Sequence, residues 1–330
     1  MMRRLGLVCL LMLSLSLPIV AQADRSVIVP GNAQLVTDLG ALSVTESLND
    51  AAFSPDSKYV ATVGDDTAVR IWDVASGEQI AEAFEHFLFV KAVVWRDDFL
   101  VTGSWDRTAI IWDVTDGVPT VREVVAGYDG VVDALAADST SEKIVLGVAD
   151  GAARVYDVSS SSIIASLPVE SLRVTAVAYS PDGVSIVTAG GYPASGAVLW
   201  DALTFEKISD IAHPGTVMSL AHASSGLLAV GGDDGTVTLW LDGAQIAALD
   251  QSDWVLDVAF NPAGDVLAVA RQDGVLTLWD VSAPESADLI VAIVASDSAA
   301  LTSAAFSPDG RLIVTTDEDG TARLWGVEVK

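Results

Sequence analysis

Seven times along the chain a run of apolar residues ends on an aromatic side chain, in most cases followed by aspartate. The markers are Ile71-Trp72-Asp73, Ile111-Trp112-Asp113, Val155-Tyr156-Asp157, Leu199-Trp200-Asp201, Leu239-Trp240-Leu241, Leu278-Trp279-Asp280 and Leu324-Trp325-Gly326. Successive aromatics lie 40, 44, 44, 40, 39 and 46 residues apart. A period of about 40–45 residues marks a four-stranded propeller blade, a unit that must stack on its neighbours to bury its apolar face. Seven markers therefore predict seven stacked units.

Within a unit, VKAVVW, VTAVAY, VLDVAF and LTSAAF alternate with period two, the mark of a strand with one buried face. Ser54-Pro55-Asp56, Ser180-Pro181-Asp182-Gly183 and Ser307-Pro308-Asp309-Gly310 follow as turns. Proline presets φ at the first corner of such a turn, and glycine suits its last position. Second and third strands succeed them, so the units are antiparallel and the fold is all-β. After Trp325 only five residues remain, too few for a turn and a fourth strand. The strand-like run at about 33–39 has no partners of its own. Docked beside the last three strands, it would complete the seventh sheet and close the ring, removing the exposed edges between first and last blades.

Residues 1–23 read differently. Arg3 and Arg4 precede an apolar run from Leu5 to Val20, and Ala21-Gln22-Ala23 follows, the pattern of a signal peptide. An uncleaved anchor would need about 20 apolar residues. The expectation is a cleaved leader over 1–23, one propeller over 24–330, and an extracytoplasmic location, periplasmic or secreted. The mature chain has no cysteine and folds without disulfides, which its 51% apolar content permits. It would carry 15 basic against 45 acidic residues. Such a surface repels nucleic-acid phosphates and anionic lipids, so neither nucleic acid nor membrane insertion is expected.

On these residues the chain resembles the tryptophan-aspartate (WD) repeat β-propeller family, over its whole mature length. The resemblance implies a seven-bladed propeller of four-stranded antiparallel blades. It also implies a buried His–Ser/Thr–Asp–Trp hydrogen-bond network that staples a blade. The second unit matches throughout, with His86, Thr102, Asp106 and Trp112. The turn aspartate recurs as Asp66, Asp150, Asp234, Asp273 and Asp319, and the hydroxyl as Thr62 and Thr315. Leu146, Val230 and Val269 replace the hydroxyl elsewhere, His213 matches the histidine of the fifth unit, and Tyr128 stands in for it in the third. The family's Gly-His pair is nowhere intact, and the fourth unit has a longer loop from Gly190 to Gly196 in place of the turn aspartate.

Catalysis has little raw material. His86 and His213 fall on the stapling position, and His222 replaces the first-strand aromatic of the fifth unit. No cysteine or spare histidine is left for zinc or a nucleophile. The acidic pairs lack the ligand spacing of a calcium loop, so no metal and no cofactor is expected. Trp105 and Trp254 have no core duty in the repeat. In the family such positions look onto the upper face around the channel, where partners bind. Phe87, Leu88 and Phe89 lie in the loop beside Trp105, and Tyr192 in the long fourth loop could join from the side. The binding reading is an aromatic patch of Phe87, Phe89, Trp105, Trp254 and Tyr192 with an acidic rim of Asp65, Asp233 and Glu318. The alternative is loop filler that packs only on itself. The expected function is a non-enzymatic, exported, monomeric scaffold for a protein or peptide. The alternative function is an exported hydrolase or metal-dependent enzyme using channel carboxylates.

Overall fold

A computed structural model describes residues 25–97, 99–139, 142–191 and 196–328. Its strands form seven antiparallel sheets, one for each marker. The four strands of each blade are called a to d from the axis outward. Strand a spans Leu48–Phe53, Val90–Arg96, Val132–Ala137, Val174–Tyr179, Val217–His222, Val255–Phe260 and Leu301–Phe306 in blades 1 to 7. These strands stand side by side around the axis. Strand d lies outermost and is largely exposed, as in Gln79–Ala83 and Val118–Val125. The d–a and b–c connections share one end of the ring, here the upper face. The a–b and c–d turns share the other.

Apolar side chains meet between neighbouring blades rather than in one central core. Seven buried clusters sit one at each seam. Ala61, Val63, Val69 and Ile71 of blade 1, for example, pack on Val90, Val93, Leu100 and Trp112 of blade 2. Burying one such side chain contributes about 1.5–3 kcal/mol, so each seam is a substantial part of the stability. Blade 7 takes its outer strand from the other end of the chain: Thr37–Ser43 pairs with Thr321–Glu328, from Thr37 opposite Gly326 to Ser43 opposite Thr321. The closing strand starts later than its apolar pattern suggests. Ala33–Leu35 is a 3₁₀ turn, because the Asn32 side chain accepts the Val29 N–H and the chain is still turning after Pro30-Gly31. A second short strand, Arg25–Ser26, pairs with Val327 and Glu328 and adds to the closure.

One irregularity recurs in every blade and selects the side chains that reach the axis. Pairing between strands a and b shifts register at the second residue of strand a, in all seven sheets. The residue left out of the ladder is Asn49, Lys91, Asp133, Thr175, Met218, Leu256 or Thr302 in turn. A β-bulge re-aims its extra side chain. Here all seven line the central channel.

Candidate interaction face

The upper loops are held by buried hydrogen bonds. In blade 2 the Trp112 Nε1–H donates to Thr102 Oγ1 at 2.9 Å, and His86 Nε2 lies 2.7 Å from the same oxygen. His86 Nδ1 is 2.9 Å from Asp106 Oδ2. The Asp106 carboxylate can only accept, so the proton of the neutral ring lies on Nδ1, and Nε2 accepts from the Thr102 hydroxyl, whose lone pair takes the indole N–H. Burial holds the imidazole pKa below its usual value, with Asp106 opposing. The ring is a neutral strut, not an available base. Asp106 Oδ2 also accepts the Phe87 N–H at 3.0 Å, so the staple reaches the tip of the d–a loop.

The hydroxyl recurs more widely than a fixed ten-residue offset allows. Thr62 and Thr315 accept from Trp72 and Trp325 as expected. Blade 4 uses Thr188 with Trp200. Blades 5 and 6, where strand b has valine, draw it from strand c two residues before the indole: Thr238 with Trp240 and Thr277 with Trp279. Residues two apart in a strand share a face, so the oxygen reaches the indole from there. Thr238 lies 3.2 Å from His213 Nδ1, and His213 Nε2 sits 3.3 Å from Asp234 without the alignment of a hydrogen bond. In blade 6 Gln251 Oε1 takes the place of the imidazole. Tyr128 in blade 3 is buried but donates to the Val125 carbonyl rather than to the turn Asp150, which pairs with Arg154.

Phe87, Phe89, Trp105 and Asp65 do come together on this frame. The Trp105 backbone N–H donates to the Phe89 carbonyl at 2.9 Å, and their rings lie 5.4 Å apart. Trp105 Nε1–H donates to Asp133 Oδ1 at 2.9 Å. Arg173 grips the same carboxylate with two bonds, at 2.6 and 2.7 Å. Its guanidinium carbon lies 5.8 Å from the Trp105 ring centroid, and Lys91 Nζ lies 5.3 Å from it. Each cation at an indole face contributes about 0.5–1 kcal/mol when exposed and more when desolvated. Lys91 also donates to Asn49 Oδ1 at 2.6 Å and lies 3.7 Å from Asp65, which accepts from Asn49 at 2.8 Å. Burial lowers the Lys91 pKa, while Asp65 and Asp133 raise it.

The remaining expected residues stand elsewhere. Trp254, 46% exposed, immediately precedes strand a of blade 6, on the far arc of the ring from Trp105. Asp233 folds back to accept the Thr216 N–H at 2.7 Å, and Glu318 is exposed at the blade 7 turn. Tyr192 lies outside the described residues. Asn49, Lys91, Asp133 and Arg173 were missed by sequence reasoning. The first three share one repeat position, the bulged residue, so aligning the seven units at strand a would have shown them as a ring. That ring is polar through Thr302, Asn49, Lys91, Asp133 and Thr175 and apolar at Met218 and Leu256, beside Trp254.

The channel carboxylates serve the scaffold. Asp50 accepts from the Val93 N–H of blade 2 at 2.8 Å and the Ser303 hydroxyl of blade 7 at 2.9 Å. Asp257 accepts from Ser219 Oγ of blade 5 at 2.6 Å and the Ala304 N–H of blade 7 at 2.9 Å. Burial lifts Asp50 to about 7, with Asp257 adding to the lift, and burial raises Asp257 as well. Among the described residues no three His, Asp, Glu or Cys side chains converge as metal ligands, and no helix is long and apolar enough to cross a membrane.

A profile of the WD domain, G-beta repeat, matches residues 38–73, 81–113, 205–240, 243–280 and 290–326. The unmatched units are blades 3 and 4, which have the tyrosine marker and the long loop. The chain is similar to a serine-threonine kinase receptor-associated protein of Gallus gallus, 26% identical over 76% of this chain and 71% of that protein. It is 28% identical to a pre-mRNA-processing factor 19 homolog 2 of Arabidopsis thaliana, over 65% of this chain and 42% of the relative. It is 26% identical to a nuclear distribution protein of Arthroderma otae, over 72% and 59%. The chain thus spans less than two thirds of the length of these last two, and 65% of the mammalian receptor-associated proteins. These relatives overturn the expected extracytoplasmic location, because kinase-receptor association, pre-mRNA processing and nuclear distribution are tasks of the eukaryotic cell interior. A basic start, a short apolar run and small residues form a pattern of low information, and residues 1–23 lie outside the described structure.

Proposed function

This chain belongs to the WD domain, G-beta repeat family, and from that premise we propose that it is a non-catalytic scaffold holding a protein or peptide at the Trp105 sector of its upper face. WD propellers are in general protein-interaction scaffolds. What carries the placement is Phe87, 87% exposed on a loop whose backbone is pinned to the buried staple through Asp106. A rigid loop that presents a phenyl ring to water, beside Leu88, Phe89 and a cation-flanked tryptophan, loses little entropy when a partner covers it. Aromatic and arginine side chains are enriched among the residues that dominate binding energy. The non-catalytic part rests on His86 and His213 being held in staples. Ring closure leaves no free blade edge at the first-to-last seam, which supports a monomer.

Selection from a random peptide library on the wild-type chain tests the reading. Enriched peptides should bind Phe87→Ser and Trp105→Ala at least about tenfold more weakly, the usual loss at a binding hot spot. Trp254→Ala should leave them unchanged. Peptides indifferent to Phe87 and Trp105, or no enrichment at all, would place the binding face elsewhere.

A further inference from the structure

The lower face holds a feature unconnected with the Trp105 sector. At each seam, two positions meet near the a–b turns: the first residue of strand b on one blade and the end of strand a on the next. Six of the seven seams place an aromatic ring there. Tyr59 and Trp95 stack at the first seam, with centroids 6.4 Å apart. Phe99 stands at the second and Tyr179 at the third. Phe260, Phe306 and Phe53 stand at the fifth, sixth and seventh. Between blades 4 and 5 the same two positions are Ser185 and His222. The buried cluster behind them sets Ala176, Ala178, Ala189 and Ala197 beside Ile211, Val217, Leu220 and Leu228, with no aromatic ring among its buried members.

The result is a cavity of about 420 Å³ walled by Leu199, Ile208, Ile211, Leu228 and Trp240. Where Tyr59 and Trp95 stack, the corresponding dent is smaller and more open, about 320 Å³. Ligand pockets run from about 300 to 1,000 Å³ and are mostly apolar with a few polar groups. The polar group here is the His222 imidazole. Neither ring nitrogen has a hydrogen-bond partner, and both are sealed from water. A buried polar group left unpaired costs about 1–3 kcal/mol. No hydrogen bond fixes the ring, and a partner in the cleft that reached either nitrogen would relieve that cost. Burial keeps the imidazole below its usual pKa, with Asp182 opposing.

We propose that the cleft between blades 4 and 5 is a binding site for a neutral phenol, whose ring takes the space aromatic side chains occupy at the other seams and whose hydroxyl pairs with His222. A hydroxyl both donates and accepts, so it serves either imidazole tautomer, whereas an indole N–H serves one. Asp182 and Asp242 on the rim oppose phenolates and carboxylates. The phenol is either a free small molecule or a tyrosine side chain of a peptide.

Titration of the full chain with p-cresol, followed by calorimetry and Trp240 fluorescence, tests the site. Wild type should bind one p-cresol saturably and toluene about tenfold more weakly, the worth of one buried hydrogen bond. His222→Phe introduces the residue native to the equivalent place in blades 1, 6 and 7. It should bring p-cresol down to the affinity of toluene. Ser185→Tyr combined with His222→Trp rebuilds the first-seam pair and should abolish both. An acetylated and amidated Gly-Tyr-Gly peptide binding within about tenfold of p-cresol, one hydrogen bond's worth, identifies a peptide source. Binding of p-cresol without the peptide identifies a free phenol. Non-saturable binding, equal affinity for p-cresol and toluene in wild type, or p-cresol affinity unchanged in His222→Phe would overturn the proposal.

Discussion

Thr102 stands between two buried nitrogens, the Trp112 indole N–H and His86 Nε2, while the other ring nitrogen of His86 is held by Asp106. Valine keeps its shape and removes the oxygen, leaving both unpaired. Thr102→Val should therefore lower the free energy of unfolding by about 2–4 kcal/mol. Thr188→Val, which strands only the Trp200 indole, should cost roughly half as much. Urea denaturation of the two variants separates them, and equal losses would show that the histidine draws nothing from Thr102. Asp50 makes a prediction of the opposite kind. Its carboxyl, lifted to about 7 by burial, holds a proton in the folded protein that the unfolded chain releases near pH 4. The folded state thus binds more protons between these values, and this group's contribution falls as pH rises from about 4 to about 7. Asp50→Asn has no proton to lose. Its melting temperature relative to wild type should improve between pH 4 and pH 8, and a constant difference would show that Asp50 is ionised throughout.

At the scale of the strand, the seven bulges decide which side chains reach the channel, and they divide the two tryptophans left over from the core. Trp105 is tied to the bulged Asp133 and flanked by the bulged Lys91; Trp254 has no side-chain bond of its own among those described. Trp105→Ala should cost about 1–3 kcal/mol, and Trp254→Ala should stay within about 0.5 kcal/mol. Comparable losses in chemical denaturation would mean that the Trp105 contacts contribute nothing net. The blades and their strands were legible in the sequence, because period-two runs and a marker about every 40–45 residues repeat along it. The staples were legible only in part, since Thr188, Thr238 and Thr277 stand at other offsets from the indole than Thr102 does, and Gln251 replaces the imidazole. The site was legible in part. Phe87, Phe89 and Trp105 emerged as aromatics without core duty. Asp133 and Arg173 did not, since they come from two other repeats and meet Trp105 only when the ring is built. A bulge also leaves no trace in the alternation it interrupts: Lys91 reads as an ordinary outward residue of strand a.

For the whole molecule, closure is the condition on everything else. A chain beginning at Thr45 lacks the outer strand of blade 7, exposes the edge of Thr321–Glu328, and strips Leu42 from the cluster it shares with Leu48, Leu312 and Leu324. An unpaired edge of that length recruits other chains. Gel filtration should show the truncated chain as oligomers, and a synthetic peptide of residues 34–43 should return it to the monomer. A truncated chain that stays monomeric without the peptide would deny the closing strand its role. The closure also has a history in time. Thr37 and its partner Gly326 are 289 residues apart in the chain. At about 5–20 residues per second, the first strand emerges from the ribosome roughly 15–60 seconds before the strand it must join. Six sheets can form as they appear, each beside the one before. The seventh cannot, so the ring is an open crescent until Thr321–Glu328 has been made, and a strand made among the last of the propeller decides whether Thr37–Ser43, made before all seven blades, finds its place.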